Sequence, residues 1–400
     1  MFNIYRKKEE IDKNKYFLVK YYIQSSTDLA DAAWNLAIGQ SVGNPNVRSE
    51  FETDELFEEH SCLIVDTKEN LQNKKEGQVT IAFPETNISF DTDGINHLLV
   101  QVMGGQCDID IFVSCVLTDI QLTPNMLKCL KGPYYGITGM KKFCGVSQDK
   151  PLLGGITKPK VGLRPQKHLE LVKQLVDGGC NFIKEDEIMS DPVWSRIEDR
   201  VGLVTDYIKT TGNNVFYSVS IHCDPLYLQE RLSKVVNLNG NSVFINHFCS
   251  LGAYKSIRDI GHPLLLHFHK SGDKVINYKK HLFHINERVM FDLASKAGAD
   301  TLHCGMIGGY MNNDTNTVIK NIKTINDNNA IPALSCGMHP GLVNYVGDII
   351  GHGNWMANVG GALTGHPSGT YAGARAMRQA IDGETNGKEY KEAIQKWGKK

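Results

Sequence analysis

The chain has 400 residues, 41% of them hydrophobic, which suits two domains or one barrel of about 250 residues plus a smaller domain. Its 43 basic and 44 acidic side chains leave a net charge of -1, which excludes an extended basic surface for nucleic acid or anionic membrane. No apolar run of about 18 residues occurs, and residues 1–20 have no apolar core of signal-peptide length. We therefore expect a cytoplasmic protein without a membrane span, whose ten cysteines are reduced and mostly buried.

Residues 1–135 are predicted to form an α+β domain on a ferredoxin-like, mostly antiparallel sheet. Strands are predicted at 16–23, 62–65, 78–83 and 109–116. Helices are predicted at 26–38, with Ser26 or Thr27 as its cap, and at 95–103. The polar piece 67–77 is predicted to be a solvated hairpin loop.

Residues 136–400 show short apolar strands that alternate with amphipathic helices. The strands are predicted at 152–157, 182–187, 215–222, 243–248, 264–269, 301–304, 333–335 and 356–360. Helices include 168–176, 287–297, 315–325 and, after the last strand, 372–381. Eight strand–helix units predict a parallel (β/α)8 TIM barrel, whose site lies at the carboxyl ends of the strands.

Each predicted strand ends in residues suited to an anionic, oxygen-rich substrate. In chain order these are Lys158 and Lys160; Lys184, Asp186 and Glu187; His222; Asn246 and His247; His267, His269 and Lys270; His303; Ser335 and Gly337; Gly360 and Gly361. A lone histidine or glycine pair is more often structural, but eight such strand ends indicate a binding site. Glycine pairs after the last strands let backbone N–H groups approach a phosphate.

The run from Lys184 to Glu187 places a lysine and acids at the rim of the second strand. On a strand, Lys184 and Asp186 project to the same side, and Glu187 follows into the loop. Two carboxylates suit Mg²⁺, whereas an ammonium repels a cation unless its amine has taken up CO₂ as an anionic carbamate. Taken alone, such a run is also typical of a solvated loop.

Five spaced motifs resemble the large subunit of RuBisCO and the RuBisCO-like proteins of the form IV type. They are ITKPKVGL at 156–163, GGCNFIKEDE at 178–187, LLLHFHK at 264–270, LHCG at 302–305, and VGG at 359–361 with GHP at 365–367. The resemblance implies an enzyme with Mg²⁺ and with CO₂ bound as a carbamate on Lys184. It also implies specific roles: Lys158, Lys184 and His269 as catalytic residues; Lys184, Asp186 and Glu187 as metal ligands; Lys160, Lys270, His303, Ser335, Gly337, Gly360 and Gly361 as substrate or phosphate ligands.

Two departures from the family pattern concern the stabilisation of incoming CO₂. Tyr310 stands where carboxylases present a lysine, and Gly39 stands where the first domain contributes that lysine's glutamate partner. An asparagine of the same domain is replaced near Thr118. Losing one such stabiliser typically costs on the order of 10²–10³ in rate, so we expect a RuBisCO-like protein that is not a carboxylase.

The chemistry that these residues retain is Mg²⁺-assisted enolisation of a keto sugar phosphate. We favour loss of CO₂ from a 3-keto sugar-acid phosphate, because His267, His269 and His303 are all present and decarboxylation reverses carboxylation. The alternative is an enolase or isomerase of a (methylthio) ketose phosphate. An authentic ribulose-bisphosphate carboxylase and a non-catalytic binding relic are the remaining hypotheses.

The resemblance also implies a homodimer or higher homo-oligomer without a small subunit, in which the first domain of one chain covers the barrel mouth of another. Asn44 and Thr118 would then contribute to the partner's site.

We expect Asn44→Ala and Lys184→Met chains to be inactive alone and to complement each other when mixed. About a quarter of wild-type activity should return, since half of the dimers are mixed and each holds one intact site. Turnover assays of remixed chains test this, and a fully active monomer would refute shared sites.

Overall fold

The computed structural model describes residues 3–44, 46–311 and 313–400. The chain divides into two compact units, one of Met1–Leu130 with Gly272–Leu293 and one of Lys131–Ser271 with Ala294–Lys400. Residues 272–293, which follow a predicted barrel strand, thus group with the first unit. Within the described residues, no helix is both long enough and apolar enough to cross a membrane.

Thirteen strands, sixteen α-helices and six short 3-10 helices make up the regular structure of the described residues. The strands are β1 (Tyr16–Ser25), β2 (Leu63–Asn70), β3 (Asn73–Pro84), β4 (Phe112–Gln121), β5 (Leu152–Ile156), β6 (Phe182–Lys184), β7 (Phe216–Ser220), β8 (Ser242–Asn246), β9 (Leu265–His269), β10 (Phe283–Ile285), β11 (Thr301–Gly305), β12 (Ile331–Leu334) and β13 (Met356–Val359). The helices are α1 (Leu29–Gly39), α2 (Asp54–His60), α3 (Gly94–Val102), α4 (Pro124–Lys128), α5 (Gly136–Cys144), α6 (Pro165–Asp177), α7 (Ile197–Thr211), α8 (Leu228–Asn237), α9 (Gly252–Ile260), α10 (Lys274–Asn277), α11 (Glu287–Lys296), α12 (Thr315–Asp327), α13 (Val343–Ile350), α14 (Gly361–Thr364), α15 (Thr370–Asp382) and α16 (Lys388–Trp397).

The first unit is built on a five-stranded sheet in the order β10-β4-β1-β3-β2. β1 pairs antiparallel with β3 and β4, which confirms the predicted antiparallel sheet. The short strand β10 adds in parallel to β4, a pairing that the sequence did not predict because its partners are far apart in the chain.

Two local predictions in this unit are wrong. The N-cap of α1 is Asp28 rather than Ser26 or Thr27. The polar piece 67–77 is not a loop, since β2 and β3 pair through Thr67 to Glu69 and turn only between Asn70 and Asn73. Backbone hydrogen bonds extend the hairpin there, although the side chains are largely exposed and carry no apolar signal.

The second unit is a closed barrel of eight parallel strands, β5-β6-β7-β8-β9-β11-β12-β13, which confirms the predicted TIM barrel. Most predicted strands extend too far, and β6 ends at Lys184 rather than Glu187. The backbone turns directly after it, where the Met189 N–H donates to the Asp186 carbonyl at 3.0 Å.

Alternation along the strands decides which residues reach the site. Phe182 lies in the buried core cluster inside the barrel, and Lys184, two residues further, lies on the same side towards the carboxyl end. Met140 of α5 packs into the same cluster. The cluster is Met140, Leu152, Phe182, Phe216, Leu265, Ile331, Ala333 and Met356.

All ten cysteines are free, as predicted, but only five of them are buried. The half-buried cysteines are Cys129, Cys144, Cys223, Cys249 and Cys336. These lie at or just beyond the ends of helices and strands, which explains why the prediction of mostly buried thiols was too strong.

A buried ion pair ties the start of β11 to its neighbours. Asp300 accepts hydrogen bonds from the backbone N–H of Leu266 at 2.9 Å and of Tyr135 at 2.6 Å. It also accepts from the Gly136 N–H at 3.3 Å and pairs with the Arg258 guanidinium, whose Nη2 is 2.8 Å from Oδ2. One carboxylate therefore joins β9, β11 and the entry to α5.

We expect Asp300→Ala to lower the free energy of unfolding by about 3–5 kcal/mol, because it leaves Arg258 buried without its counter-ion. Urea denaturation followed by circular dichroism measures this. The matched control is Asp327→Ala, which removes an exposed pair with Lys323 and should change stability by about 0.5 kcal/mol or less. Equal losses in the two variants would contradict the assignment.

Candidate functional site

Five predicted catalytic and metal-binding side chains converge at the carboxyl ends of β5, β6 and β9. The Lys158 amine hydrogen-bonds to the Asp186 carboxylate. The Lys184 Nζ and the His269 Nε2 each lie 3.7 Å from the Glu187 Oε2. Two carboxylates thus face two amines and an imidazole, in one cluster drawn from three strands.

The Lys184 amine is fully buried and is held in a defined position. Its Nζ donates to the Glu185 carbonyl at 2.7 Å and lies 4.1 Å from the centre of the Phe244 ring. Burial lowers the pKa of Lys184 to about 8, although the carboxylates of Glu187 and Asp186 oppose the shift. A substantial fraction of this amine is therefore uncharged slightly above neutral pH.

Asp186 is the more enclosed of the two carboxylates, with none of its side chain exposed, whereas 22% of the Glu187 side chain is exposed. Burial opposes ionisation of Asp186, but the hydrogen bond and charge of Lys158 prevail and lower its pKa. Asp186 is therefore an anion over the whole neutral range.

The histidines at the ends of β9 and β11 are neutral. Burial, aided by the charge of Lys184, lowers the pKa of His269 well below its usual value. The pKa of His303 is lowered to about 3 by burial and by the charges of Lys270 and Lys184. The Ser271 N–H donates to the His269 Nδ1 at 3.2 Å, so the ring proton sits on Nε2, which faces Glu187.

The predicted phosphate ligands fall at two places around the mouth. Gly360 comes so close to Lys158 that an added Cβ would lie 3.2 Å from the lysine Cε, while the corresponding position on Gly361 is open among the described residues. Ser335 and Lys270 are buried at the ends of β12 and β9. Lys160 is exposed, and its charge acts on Asp186.

The loop after β11 packs directly onto the loop after β12. An added Cβ on Gly309 would lie 2.3 Å from the Cys336 carbonyl oxygen, and one on Gly337 would lie 2.8 Å from the Tyr310 nitrogen. The Tyr310 side chain is 78% exposed. Tyr310 therefore borders the predicted phosphate ligand Gly337, and the charge of Glu187 acts on it.

The first-unit residues predicted to reach a partner's site, Asn44 and Thr118, form hydrogen bonds within their own unit. Asn44 is exposed, and its Oδ1 accepts from the Asn46 N–H at 2.9 Å. The Thr118 hydroxyl donates to the Lys20 carbonyl at 3.0 Å. Gly39 faces Gln106, whose Cδ would be 2.1 Å from an added Cβ. The role of Asn44 and Thr118 in a partner's site stays a prediction.

The sequence interpretation missed the residues that support this site from behind. Glu185 was read only as one of three acids, yet it forms a fully buried ion pair with Arg200, with 2.6 Å between Nε and Oε1. Tyr217 and His168 complete the group. The only signal was an acid at an outward-facing strand position, which by itself is uninformative.

The donor chemistry of this cluster fits Mg²⁺ only in part without a modified lysine. Within residues 3–44, 46–311 and 313–400, no group of three or more His, Cys, Asp and Glu side chains is placed to hold a metal ion. Asp186 and Glu187 would supply two hard oxygen ligands. A carbamate on Lys184, whose amine already lies 3.7 Å from Glu187, would supply a third.

Comparison with known proteins places the chain in a family. Residues 136–331 and 323–399 match the family described as ribulose bisphosphate carboxylase large chain, catalytic domain. The ribulose bisphosphate carboxylase of Archaeoglobus fulgidus is 29% identical over 360 residues, which cover 80% of each chain.

Two solved structures share the fold over nearly the whole chain. The octameric ribulose-1,5-bisphosphate carboxylase/oxygenase of Pyrococcus horikoshii OT3 has a TM-score of 0.89 at 22% identity, covering 99% of this chain and 96% of that one. A rubisco-like protein from Burkholderia fungorum has a TM-score of 0.81 at 22% identity, covering 95% and 99%.

The barrel, the antiparallel sheet unit and the polar strand ends define a protein of the RuBisCO class. The chain belongs to the ribulose bisphosphate carboxylase large-chain family, which confirms the resemblance seen in the sequence motifs.

Because CO₂ adds only to a neutral amine, we expect carbamate formation on Lys184 to rise with pH through about 8. Solvent-exposed lysines should respond only near their usual pKa of about 10.4. Carbon-13 NMR with labelled bicarbonate measures the carbamate signal. Lys184→Met should abolish it, whereas Lys141→Met, which removes another buried lysine with a pKa of about 8, should retain it. A signal lost only in Lys141→Met would contradict the assignment.

Proposed function

We propose that this protein is a Mg²⁺-dependent, RuBisCO-like enzyme that forms an enediolate from a keto sugar phosphate. The observation that carries the proposal is the convergence of two lysines, two carboxylates and a neutral histidine at one barrel mouth. We further propose that the substrate is a 3-keto sugar-acid phosphate and that CO₂ leaves, with CO₂ also serving as the carbamate on Lys184.

The residues of the chain have distinct roles in this reaction. Lys184 as a carbamate, Asp186 and Glu187 would hold Mg²⁺, which when bound withdraws electrons from a chelated keto oxygen. Loss of CO₂ from the 3-keto acid breaks the C1–C2 bond and leaves its electron pair as the enediolate. Lys158, whose amine hydrogen-bonds to Asp186, can return a proton to C2.

Histidines and glycines would orient the substrate around this centre. Neutral His269 presents its Nε2–H towards Glu187 and the space beside it, where it can donate a hydrogen bond to a substrate oxygen. Gly360 and Gly361 leave room for a phosphate next to Lys158. Buried Lys270 supplies positive charge near His303, where a second anionic group could bind.

Two observations bear on carboxylation in opposite directions. The relative from Archaeoglobus fulgidus is named a carboxylase. In this chain, however, an exposed tyrosine, Tyr310, stands in place of the lysine of carboxylases, and Gly39 replaces its glutamate partner. We give greater weight to these residues, because a tyrosine cannot neutralise a developing carboxylate. A carboxylation assay with ribulose bisphosphate tests this choice directly.

We propose a homo-oligomer in which a second copy covers the barrel mouth. Loops after four consecutive strands, β5 to β8, carry exposed apolar side chains, which favour burial against another surface. The exposed fractions are 43% for Val161, 59% for Ile188, 80% for Val193, 83% for Leu226 and 61% for Phe248. The related structure from Pyrococcus horikoshii is octameric.

The decisive test is a screen of keto sugar and keto sugar-acid phosphates with Mg²⁺ and bicarbonate in deuterium oxide, read by mass spectrometry. We expect deuterium incorporation together with loss of CO₂. Lys184→Met should reduce the rate about 100-fold or more, while Lys141→Met should remain close to wild type.

Other outcomes of this screen are equally informative. Deuterium incorporation with an unchanged carbon skeleton would favour the enolase or isomerase reaction. Absence of exchange with every substrate would contradict an enolising enzyme and favour a binding protein.

A further inference from the structure

A fully buried carboxylate lies between two proposed Mg²⁺ ligands in the chain and faces away from them. Glu185 follows Lys184 at the end of β6, and strand alternation turns its side chain outward, towards α6 and α7. There Arg200 donates two parallel hydrogen bonds to the Glu185 carboxylate, from Nε to Oε1 at 2.6 Å and from Nη2 to Oε2 at 2.9 Å. Both side chains are fully buried.

Further donors saturate the Glu185 carboxylate. The Tyr217 hydroxyl donates to Oε1 at 2.5 Å, and the Ser220 N–H donates to Oε2 at 2.9 Å. The Tyr217 oxygen in turn lies 2.9 Å from the His168 Nε2. Residues of α6, α7 and β7 thus hold one carboxylate in a single orientation.

The same arginine also holds the loop that follows the ligands. Its Nη1 donates to the Ser195 carbonyl at 2.5 Å, and its Nη2 donates to the Ser190 carbonyl at 2.5 Å. One guanidinium therefore joins the residue between the ligands to both ends of the loop 190–195.

The Glu185 backbone connects the held carboxylate to the residues of the candidate site. Its N–H donates to the Ser218 carbonyl at 3.1 Å, and its carbonyl accepts from the Lys184 amine at 2.7 Å. Asp186 is bonded directly to it. Any shift of Glu185 therefore displaces the amine that would carry CO₂ and the carboxylate that would bind Mg²⁺.

We propose that Glu185, Arg200 and Tyr217 form a positioning cluster that sets the geometry of the Lys184–Asp186–Glu187 metal site. A buried ion pair is often no more stabilising than apolar residues of similar volume. A bidentate arginine–carboxylate pair, however, holds the carboxylate in one orientation. The proposal rests on the proposed function, since it assumes that the site binds a divalent cation.

The test is Tyr217→Phe, which removes one hydrogen bond to Glu185 and retains the ring. Binding of Mn²⁺, a spectroscopic substitute for Mg²⁺, is titrated with bicarbonate present, using the electron paramagnetic resonance signal of free Mn²⁺. We expect the dissociation constant to rise about tenfold or more, as for other residues that orient metal ligands.

The matched control is Tyr21→Phe, which removes an equally buried hydroxyl that donates to a backbone carbonyl, that of Val102, in the first unit. It should bind Mn²⁺ like the wild type. Thermal unfolding of both variants separates a change in stability from a change in metal binding. Arg200→Lys keeps the positive charge but loses the paired N–H groups that bind both carboxylate oxygens of Glu185. It should weaken Mn²⁺ binding at least as much as Tyr217→Phe.

The outcomes separate this inference from the function on which it rests. Weaker Mn²⁺ binding in folded Tyr217→Phe, with Tyr21→Phe unchanged, supports the positioning cluster. Wild-type affinity in folded Tyr217→Phe overturns it and leaves the metal site standing. Failure of the wild-type protein to bind Mn²⁺ overturns both.

Discussion

The site depends on one constraint, the burial of the Lys184 amine at the end of a barrel strand. Moving an ammonium out of water costs several kcal/mol, and the pKa of this amine accordingly falls to about 8. The carbonyl of Glu185 and the face of Phe244 compensate for part of the lost hydration. An amine kept partly neutral beside two carboxylates is suited to taking up CO₂, and this requirement connects the fold to the proposed chemistry.

Successive side chains at the end of β6 and just after it point to opposite sides, one towards the candidate site and the other towards the surrounding helices. Lys184 and Asp186 face the barrel interior, where Lys158 and His269 approach from neighbouring strands. Glu185 faces outward and is held by Arg200. The acids that follow β6 would destabilise the fold if Glu185 or Asp186 lacked a partner, because an unpaired buried charge is costly. Arg200 neutralises the outer carboxylate, and Lys158 pairs with the inner carboxylate of Asp186.

The loops after β11 and β12 are brought together by close backbone contact. Gly309 and Gly337 let the loops after β11 and β12 touch, since a side chain at either position would meet backbone atoms at 2.3 Å or 2.8 Å. Tyr310 is exposed at this junction. In the proposed function, Tyr310 borders one proposed phosphate ligand, Gly337, while Lys270 supplies positive charge beside His303.

The sequence by itself determined the eight barrel strands and the residues at their ends, because apolar runs of strand length and the glycines that end them are local signals. Lys158, Lys184, Asp186 and His269 could be assigned to one site for the same reason, since all parallel strands end at one face. Only the tertiary structure decided which amine meets which carboxylate, and that Glu185 pairs with Arg200. It also decided that β10 returns to β4. These pairings depend on strand register and on residues distant in the chain, which no local pattern encodes.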